Sequence, residues 1–172
     1  TRKLQFTRRR CYRSSGRPTV INITVMIDDL LGEVLNYDRY ADYQIQIIDE
    51  KGNDHFAKDL ISFGKWVEVW KSYPNIKVEG LDDKTYHTKL IDEGFRRVNS
   101  NHLFINNKGG FSFKEHKDDT NVYLHVLKGE KKVHMLGNVY TVKANNGIHI
   151  PEGVYHKVDS EPDTWALSIG YF

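Results

Sequence analysis

A run of short apolar segments, each followed by a turn sequence, occupies the chain from Asn101 to its last residue. The turn sequences include KGG, KGE, LGN and NNG. Many short strands at such regular spacing predict an antiparallel sandwich or barrel. We therefore expect a mainly β fold for this half of the chain. The predicted strands are HLFINN, FSFKEH, NVYLHVLK, KKVHML, NVYTVKA, GIHIP, YHKV and TWALSIGYF.

The first hundred residues mix helical and extended patterns. Apolar residues at helical spacing, with Pro74 as a stop signal, predict a helix over 58–73, and alternation at period two predicts a half-buried strand over 43–49. Residues 18–100 are expected to elaborate a barrel core formed by residues 101–172, with the helices packed on one sheet. The remaining predicted elements are a strand at 18–25 and helices at 26–41 and 82–98.

Length and composition exclude several classes of protein. The 172 residues are enough for one domain, expected at 18–172, and 39% hydrophobic with 28% charged residues is typical of a globular chain. No apolar run approaches the ~18–20 residues that cross a bilayer, and the basic, polar first residues do not resemble a signal peptide. The single cysteine, Cys11, cannot form an internal disulfide and fits a reducing compartment, so we expect a cytoplasmic protein.

The charge is unevenly distributed along the chain. Residues 1–17 contain seven Lys or Arg and no acid, which leaves 18 basic and 23 acidic residues elsewhere. Such a basic N-terminal arm could contact nucleic acid by releasing counterions, or it could be a solvated terminus. Of these two alternatives, we expect the arm to be a solvated terminus.

A histidine and a carboxylate stand one residue apart at His116 and Asp118. On a strand, residues i and i+2 point to the same face, so these two side chains are expected to lie together. Further along, Pro151 and Gly153 shape a turn that leads to His156. If the strands that carry the two histidines are neighbours, the three side chains converge in the two-histidine, one-carboxylate arrangement of non-haem Fe(II) sites. This group is the predicted metal site and catalytic centre.

A hairpin is expected around the sequence KGEK. A two-residue turn at Gly129-Glu130 would pair the strand before it with the strand after it, and would put five apolar side chains and Lys131 on one inward face. A lysine on the lining of a barrel needs an anion. The same pairing would set His125 opposite His134 as an exposed cross-strand contact. The five apolar residues are Val122, Leu124, Val126, Val133 and Met135.

Two segments resemble the motifs of the cupin family. Gly110, then five residues to His116, then Asp118 and Gly129, is similar to the first cupin motif, G-x5-H-x-H-x3-E-x6-G, with Asp in place of the second His. The sequence PEGVYH at 151–156 matches the centre of the second motif, P-x-G-x2-H. The resemblance spans the strand-rich half of the chain and implies a jelly-roll barrel, the double-stranded β-helix.

The pattern H-x-D, with Val122 where many metal cupins have Glu, resembles the JmjC-like oxygenases that use Fe(II) and 2-oxoglutarate. In that family a basic residue on the strand after the first two ligands binds the distal carboxylate of 2-oxoglutarate, and Lys131 stands at the matching spacing. Some relatives bind the co-substrate through a Thr where this chain has Phe113. The candidates to replace that contact are Asn106, Tyr123, Tyr140 and Tyr155, of which we select the first two.

The resemblance implies a hydroxylase that couples substrate oxidation to the decarboxylation of 2-oxoglutarate. Both histidines must be neutral to bind the metal, so acid should weaken metal binding. A protein or peptide side chain is the expected substrate, and a homodimer is the expected assembly. Three other interpretations stay open: a metal-binding cupin that oxidises its substrate without 2-oxoglutarate, a non-catalytic ligand-binding cupin, and a structural Zn(II) site.

Overall fold

The computed structural model describes residues 27–81, 97–111 and 113–172. The helices in these ranges are α1 (Ile27–Val34), α2 (Tyr37–Ala41), α3 (Ala57–Leu60) and α4 (Phe63–Val69), followed by a 3-10 turn at Trp70–Ser72. The strands are β1 (Ile45–Ile48), β2 (Asp54–Phe56), β3 (Asn75–Val78), β4 (Val98–Asn106), β5 (Gly110–Phe111), β6 (Asn121–Lys128), β7 (Glu130–Met135), β8 (Asn138–Lys143), β9 (Gly147–Ile150), β10 (His156–Ser160) and β11 (Thr164–Tyr171). No helix within the described ranges is long and apolar enough to cross a membrane.

The strands pair antiparallel within two sheets. The larger sheet has seven strands in the order β2-β1-β3-β4-β11-β6-β9, and the smaller has four in the order β5-β10-β7-β8. Strands β1 and β3, which precede the barrel segment in sequence, extend the larger sheet beyond β4. The inner faces of the two sheets share one apolar cluster. The fold is therefore the mainly β jelly-roll barrel that the sequence predicts.

Hydrophobic packing is divided between the two faces of the larger sheet. On its outer face, the helices bury Leu30, Val34 and Trp66 in one cluster with Leu103 and Leu167 of the sheet. The indole Nε1 of Trp66 donates a 2.8 Å hydrogen bond to the carbonyl of Val34, so its polar group is satisfied although it is buried. The inner face packs against the smaller sheet, and the apolar cluster between the two sheets contains all five of the predicted inward-facing residues. The predicted packing of helices on one sheet is confirmed.

The helices predicted at 26–41 and 58–73 are both interrupted by a new N-cap. Asn36 caps α2, because its side chain accepts a hydrogen bond from the amide of Arg39. Ser62 caps α4 in the same way. Each cap satisfies a backbone amide at the start of a helix, and a new helix therefore begins inside the predicted one. The apolar residues of each predicted helix are consequently divided between two short helices. Apolar periodicity continues through these breaks and does not reveal them.

The strand predicted at 43–49 is observed as β1, but all four of its residues are buried instead of alternate ones. β1 lies between β2 and β3, and Ile45 and Ile47 pack under the helices. Gln46 and Ile48, whose side chains lie on the other face of β1, are buried as well. The strand predicted at 18–25 and nearly all of the helix predicted at 82–98 lie outside the described residues.

The hairpin predicted around Gly129 is wrong. β6 pairs with β11 and β9, whereas β7 pairs with β10 and β8, so the two strands belong to opposite sheets. Gly129 turns the chain from one sheet to the other with a φ of 80°, a value that favours glycine. His125 and His134 are therefore not cross-strand partners, and His125 is buried. The predicted inward face is nevertheless correct, because alternation along a strand does not depend on its hydrogen-bonding partner.

Candidate metal centre

The main chains of His116 and His156 are joined by an isolated antiparallel bridge. The amide of each residue donates to the carbonyl of the other, at 3.0 Å from His116 and 2.8 Å from His156. The strand predicted over 111–116 is thus reduced, among the described residues, to the end of β5 and this bridge. Asp118 lies in the loop that follows, and its carbonyl accepts a 2.9 Å hydrogen bond from the amide of Gly153. These backbone contacts bring the two motif segments together without a continuous strand.

Three side chains converge beside this bridge. Nε2 of His156 lies 3.4 Å from one carboxylate oxygen of Asp118, and Nε2 of His116 lies 3.9 Å from the other. One ligand atom from each of the three residues lies within 4.8 Å of the other two. The side chain of His156 is nearly buried, whereas those of His116 and Asp118 are partly open to solvent. The three predicted ligands therefore lie close enough to hold one metal ion.

The hydrogen bonds of the two imidazoles leave one nitrogen of each ring available to a metal. Nδ1 of His116 lies 2.8 Å from the carbonyl oxygen of Lys114, and Nδ1 of His156 lies 3.0 Å from that of Val154. A carbonyl can only accept, so each Nδ1 carries a proton, and in the neutral ring each Nε2 then keeps its lone pair. In both cases the acceptor is two residues earlier in the chain. The donor set is then two neutral imidazole nitrogens and one carboxylate oxygen, which suits Fe(II) and other first-row divalent ions.

A cavity of about 430 Å³ extends from these three residues into the barrel. Part of its wall is apolar and comes from the inner faces of both sheets. The apolar side chains of this wall are Val122, Leu124, Ile150 and Val158. Gly52 and a set of polar and aromatic residues complete the lining: Lys77, Ser100, His102, Phe104, Phe113, Lys114, Glu115, Thr120, Lys131 and Ser168.

Lys131 lies on the inward face of β7 and is only 2% exposed. Its Nζ donates hydrogen bonds to Oδ1 of Asn106 at 2.7 Å and to Oγ of Ser160 at 2.9 Å. Neither of these partners is an acid, so burial lowers the pKa of Lys131 to about 7, although the carboxylate of Asp159 opposes the shift. An anion bound next to Nζ would raise this pKa again and favour the charged form.

Of the two residues selected to bind the co-substrate, Asn106 lies beside Lys131 and Tyr123 does not. Asn106 is fully buried, and its Nδ2 donates a 2.6 Å hydrogen bond to Oδ1 of Asn75. Tyr123 belongs to the cluster under the helices, where its ring centre lies 4.7 Å from that of His149. The prediction for Tyr123 is corrected, because neighbouring residues on a strand face opposite ways and the cavity lies on the other side of β6.

Sequence reasoning missed three polar residues near the cavity. Ser160 lies four residues after His156 on β10, so both side chains point to the same face of the strand. The alternation of the strand could therefore have predicted its position. Asn75 and Lys77 lie on β3, which reaches the barrel only by pairing with β4, so no local pattern marks them. The further candidates Tyr140 and Tyr155 do not line the cavity.

The fold and the ligand cluster define a class of protein, the β-barrels with a candidate metal site in their interior. Residues 102–169, about two fifths of the chain, match the family model of the cupin domain. This match supports assigning the segment to the cupin superfamily, in agreement with the two sequence motifs. The superfamily contains many enzymes and also proteins that are not enzymes.

The solved structures that resemble part of this chain are distant from it in sequence. A cupin superfamily protein from Desulfitobacterium hafniense is 17% identical, with a TM-score of 0.41, over 44% of this chain and 68% of that protein. An RmlC-like cupin from Shewanella frigidimarina is 14% identical, with a TM-score of 0.43, over 57% of this chain and 76% of that protein. The DMSP lyase DddQ from Ruegeria pomeroyi is 16% identical, with a TM-score of 0.39, over 42% of this chain and 38% of that protein. No curated protein sequence matches this chain.

Proposed function

We propose that the protein is an oxygenase that uses Fe(II) and 2-oxoglutarate to hydroxylate its substrate. The observation that supports this best is that Lys131 lines the same cavity as His116, Asp118 and His156. The three ligands alone would suit many metal-binding cupins. A buried lysine in the same cavity would add, in its charged form, a binding site for a small dicarboxylate.

His116, Asp118 and His156 would hold the metal. Their donor atoms are those of the Fe(II) facial triad, which leaves coordination positions open for other ligands. When bound, the metal would supply the activation of dioxygen, coupled to the decarboxylation of 2-oxoglutarate. The contribution of the chain is to orient the imidazoles through the carbonyls of Lys114 and Val154, so that both Nε2 atoms face the site.

The ammonium group of Lys131 would bind the distal carboxylate of 2-oxoglutarate. Ser160, its hydrogen-bond partner, lies four residues after His156 on β10, which corresponds to about 13 Å between the two Cα atoms. The side chains of His156 and Lys131 both project into the cavity and shorten this gap. A five-carbon dicarboxylate would lie in the space between the metal ligands and Lys131.

The wall of the cavity would strengthen this contact. Its apolar side chains would reduce the contact of a bound ligand with water, and an ion pair between a carboxylate and an ammonium group is stronger where less water surrounds it. Asn106 and Ser160 hold Nζ of Lys131 in place, since both accept a hydrogen bond from it.

The substrate and the assembly are proposed from the resemblance to the oxygenase family alone. A protein or peptide side chain is the proposed substrate. A homodimer in the cytoplasm is the proposed state of the protein.

The test is the anaerobic addition of Fe(II) and then 2-oxoglutarate to the metal-free protein. Chelation of the keto acid by the bound Fe(II) should produce a visible charge-transfer band. Lys131→Ala should lose the band or need far more 2-oxoglutarate to show it. Lys132→Ala is the matched control, because Lys132 is the next residue on β7 but pairs with Glu161 at the surface. A wild-type protein that binds Fe(II) and never shows the band would contradict the proposal.

One observation favours a second candidate function, a metal-dependent cupin that acts on its substrate without 2-oxoglutarate. Nζ of Lys131 is already bonded to Asn106 and Ser160, so this lysine has structural partners before any ligand binds. For such a protein, Lys131→Ala should bind Fe(II) as the wild type does, and 2-oxoglutarate should change neither spectrum.

A further inference from the structure

We infer that Lys77 binds an anionic group, a carboxylate or a phosphate, of the molecule that is oxidised. The inference rests on the proposed function, in which Lys131 and the three metal ligands already have roles. It adds the chemical class of the primary substrate, an apolar or aromatic molecule with one negative group.

The side chain of Lys77 faces the cavity because of its position on β3. It lies on β3, outside the segment that matches the cupin domain. Its neighbours Ile76 and Val78 are buried in the cluster under the helices, so alternation places Lys77 on the opposite face of the sheet. There it lines the cavity, with Phe104 of β4 and Gln46 of β1 as its cross-strand partners.

The side chain of Lys77 lies between aromatic rings and one acid. It is only 14% exposed, and its Nζ lies 6.0 Å from the ring centre of Phe113, which packs edge-to-face on Phe104 at 5.7 Å. Its Nζ also pairs with a carboxylate oxygen of Glu79 at 2.5 Å. An ammonium group has three donors, and this ion pair uses one of them. Glu115 also lines the cavity, but it is exposed and its charge is screened by water.

A second observation concerns the residue that pairs with Lys77 on β1. Gln46 is the cross-strand partner of Lys77 and is 5% exposed, yet its Oε1 is buried without a hydrogen-bond partner in the described part of the chain. An unpaired buried amide oxygen is costly, and a ligand with an N–H group would remove that cost. Gln46 itself does not line the cavity, so a substrate N–H would reach its Oε1 only if the side chain of Gln46 rotated toward Lys77.

The other two lysines of the cavity are less suited to this role. Lys131 is already bonded to Asn106 and Ser160 and is assigned to the co-substrate. Lys114 is exposed, so water competes for its ammonium group. Lys77 combines partial burial, aromatic neighbours and free donors.

The experiment measures the binding of small probes by calorimetry, with Zn(II) and 2-oxoglutarate at saturating concentrations so that no turnover occurs. N-acetyl-L-phenylalanine and its neutral primary amide share the ring and the N–H group and differ in charge. Phenyl phosphate and phenol form the corresponding phosphate pair. We expect the anionic member of one pair to bind about tenfold more tightly than the neutral member, and the pair that shows this identifies carboxylate or phosphate.

Three variants decide whether Lys77 is responsible. Lys77→Met should abolish the preference for the anionic probe, and Lys77→Arg should retain part of it. Lys143→Met, at an exposed position on β8, should bind like the wild type. Equal binding of charged and neutral probes, no binding of either anionic probe at millimolar concentration, or a preference that survives in Lys77→Met would overturn the inference.

The two proposals can fail separately. If the charge-transfer band forms but the probes are not distinguished by charge, only the role of Lys77 is rejected. If Lys77 controls probe binding in the presence of Zn(II) but 2-oxoglutarate does not bind, only the proposed oxygenase function is rejected.

Discussion

Lys131 donates a 2.7 Å hydrogen bond from Nζ to Oδ1 of Asn106, and both side chains are buried inside the barrel. No acid is bonded to this Nζ, and burial therefore lowers the pKa of the lysine to about 7. A buried cationic group without a bonded anion reduces stability. The same ammonium group would bind a carboxylate tightly. The burial of Lys131 therefore destabilises the folded protein and also makes the lysine a suitable binding group for an anionic ligand.

The stability of the metal-free protein should increase with pH between about 7 and 10.5. Lys131 has its ordinary pKa of 10.5 in the unfolded chain and about 7 in the folded one. Between these values the unfolded chain binds a proton that the folded chain does not, so folding becomes more favourable as the pH rises. Below pH 7 both states are protonated and the full penalty applies.

Urea unfolding of the wild type and Lys131→Met at about pH 6.5 and 9.5 measures this effect. The wild type should gain on the order of 2–3 kcal/mol relative to the variant over this range. A difference between the two proteins that does not change with pH would contradict the lowered pKa.

Binding of 2-oxoglutarate should weaken as the pH rises above about 7, since only the charged form of Lys131 pairs with a carboxylate. The dissociation constant should increase by up to about tenfold per pH unit, as measured by titration of the charge-transfer band at pH 7, 8 and 9. Lys131→Arg is the control, because arginine stays charged over this range and its binding constant should change little. A parallel pH dependence in both proteins would assign the effect to another group.

Replacing any one of His116, Asp118 and His156 by alanine should weaken metal binding by more than about tenfold, since each removes one of three donor atoms. Absorption titration with Co(II) measures the affinity. His102→Ala is the matched control, because His102 lines the same cavity but is not one of the three ligands. Equal losses in His102→Ala and in the ligand variants would show that metal binds elsewhere.

Gly129→Ala should lower the free energy of unfolding by about 3 kcal/mol. Its φ is 80°, and an added Cβ would collide with the side chain of Thr164, so backbone strain and a clash add together. Gly137→Ala should lose only about 1–2 kcal/mol, because Gly137 has a φ of 73° but open space around it. Chemical denaturation of both variants gives the comparison, and equal losses would mean that the contact with Thr164 is unimportant.

Local patterns are sufficient to predict which side chains face the barrel interior. Val122, Leu124 and Lys131 all face inward as their alternation indicates, although the pairing predicted for their strands is wrong. The period of a strand is a property of its own backbone and is the same with any partner. The candidate ligands are likewise marked by two short motifs. In each motif a glycine that shapes a turn, Gly110 or Gly153, precedes the histidine by a few residues.

Only the tertiary structure decides which of these faces meet. The chain crosses between the sheets at Gly129, so β6 and β7 lie opposite each other and His125 is buried. Pairing of β3 with β4 brings Lys77 to the cavity, and alternation on β6 turns Tyr123 away from it. Such contacts join residues that are distant in sequence, and their stability comes from burying apolar surface between whole sheets. The amino-acid order therefore determines the inward-facing residues and the ligand motifs, and long-range packing determines which residues become their neighbours.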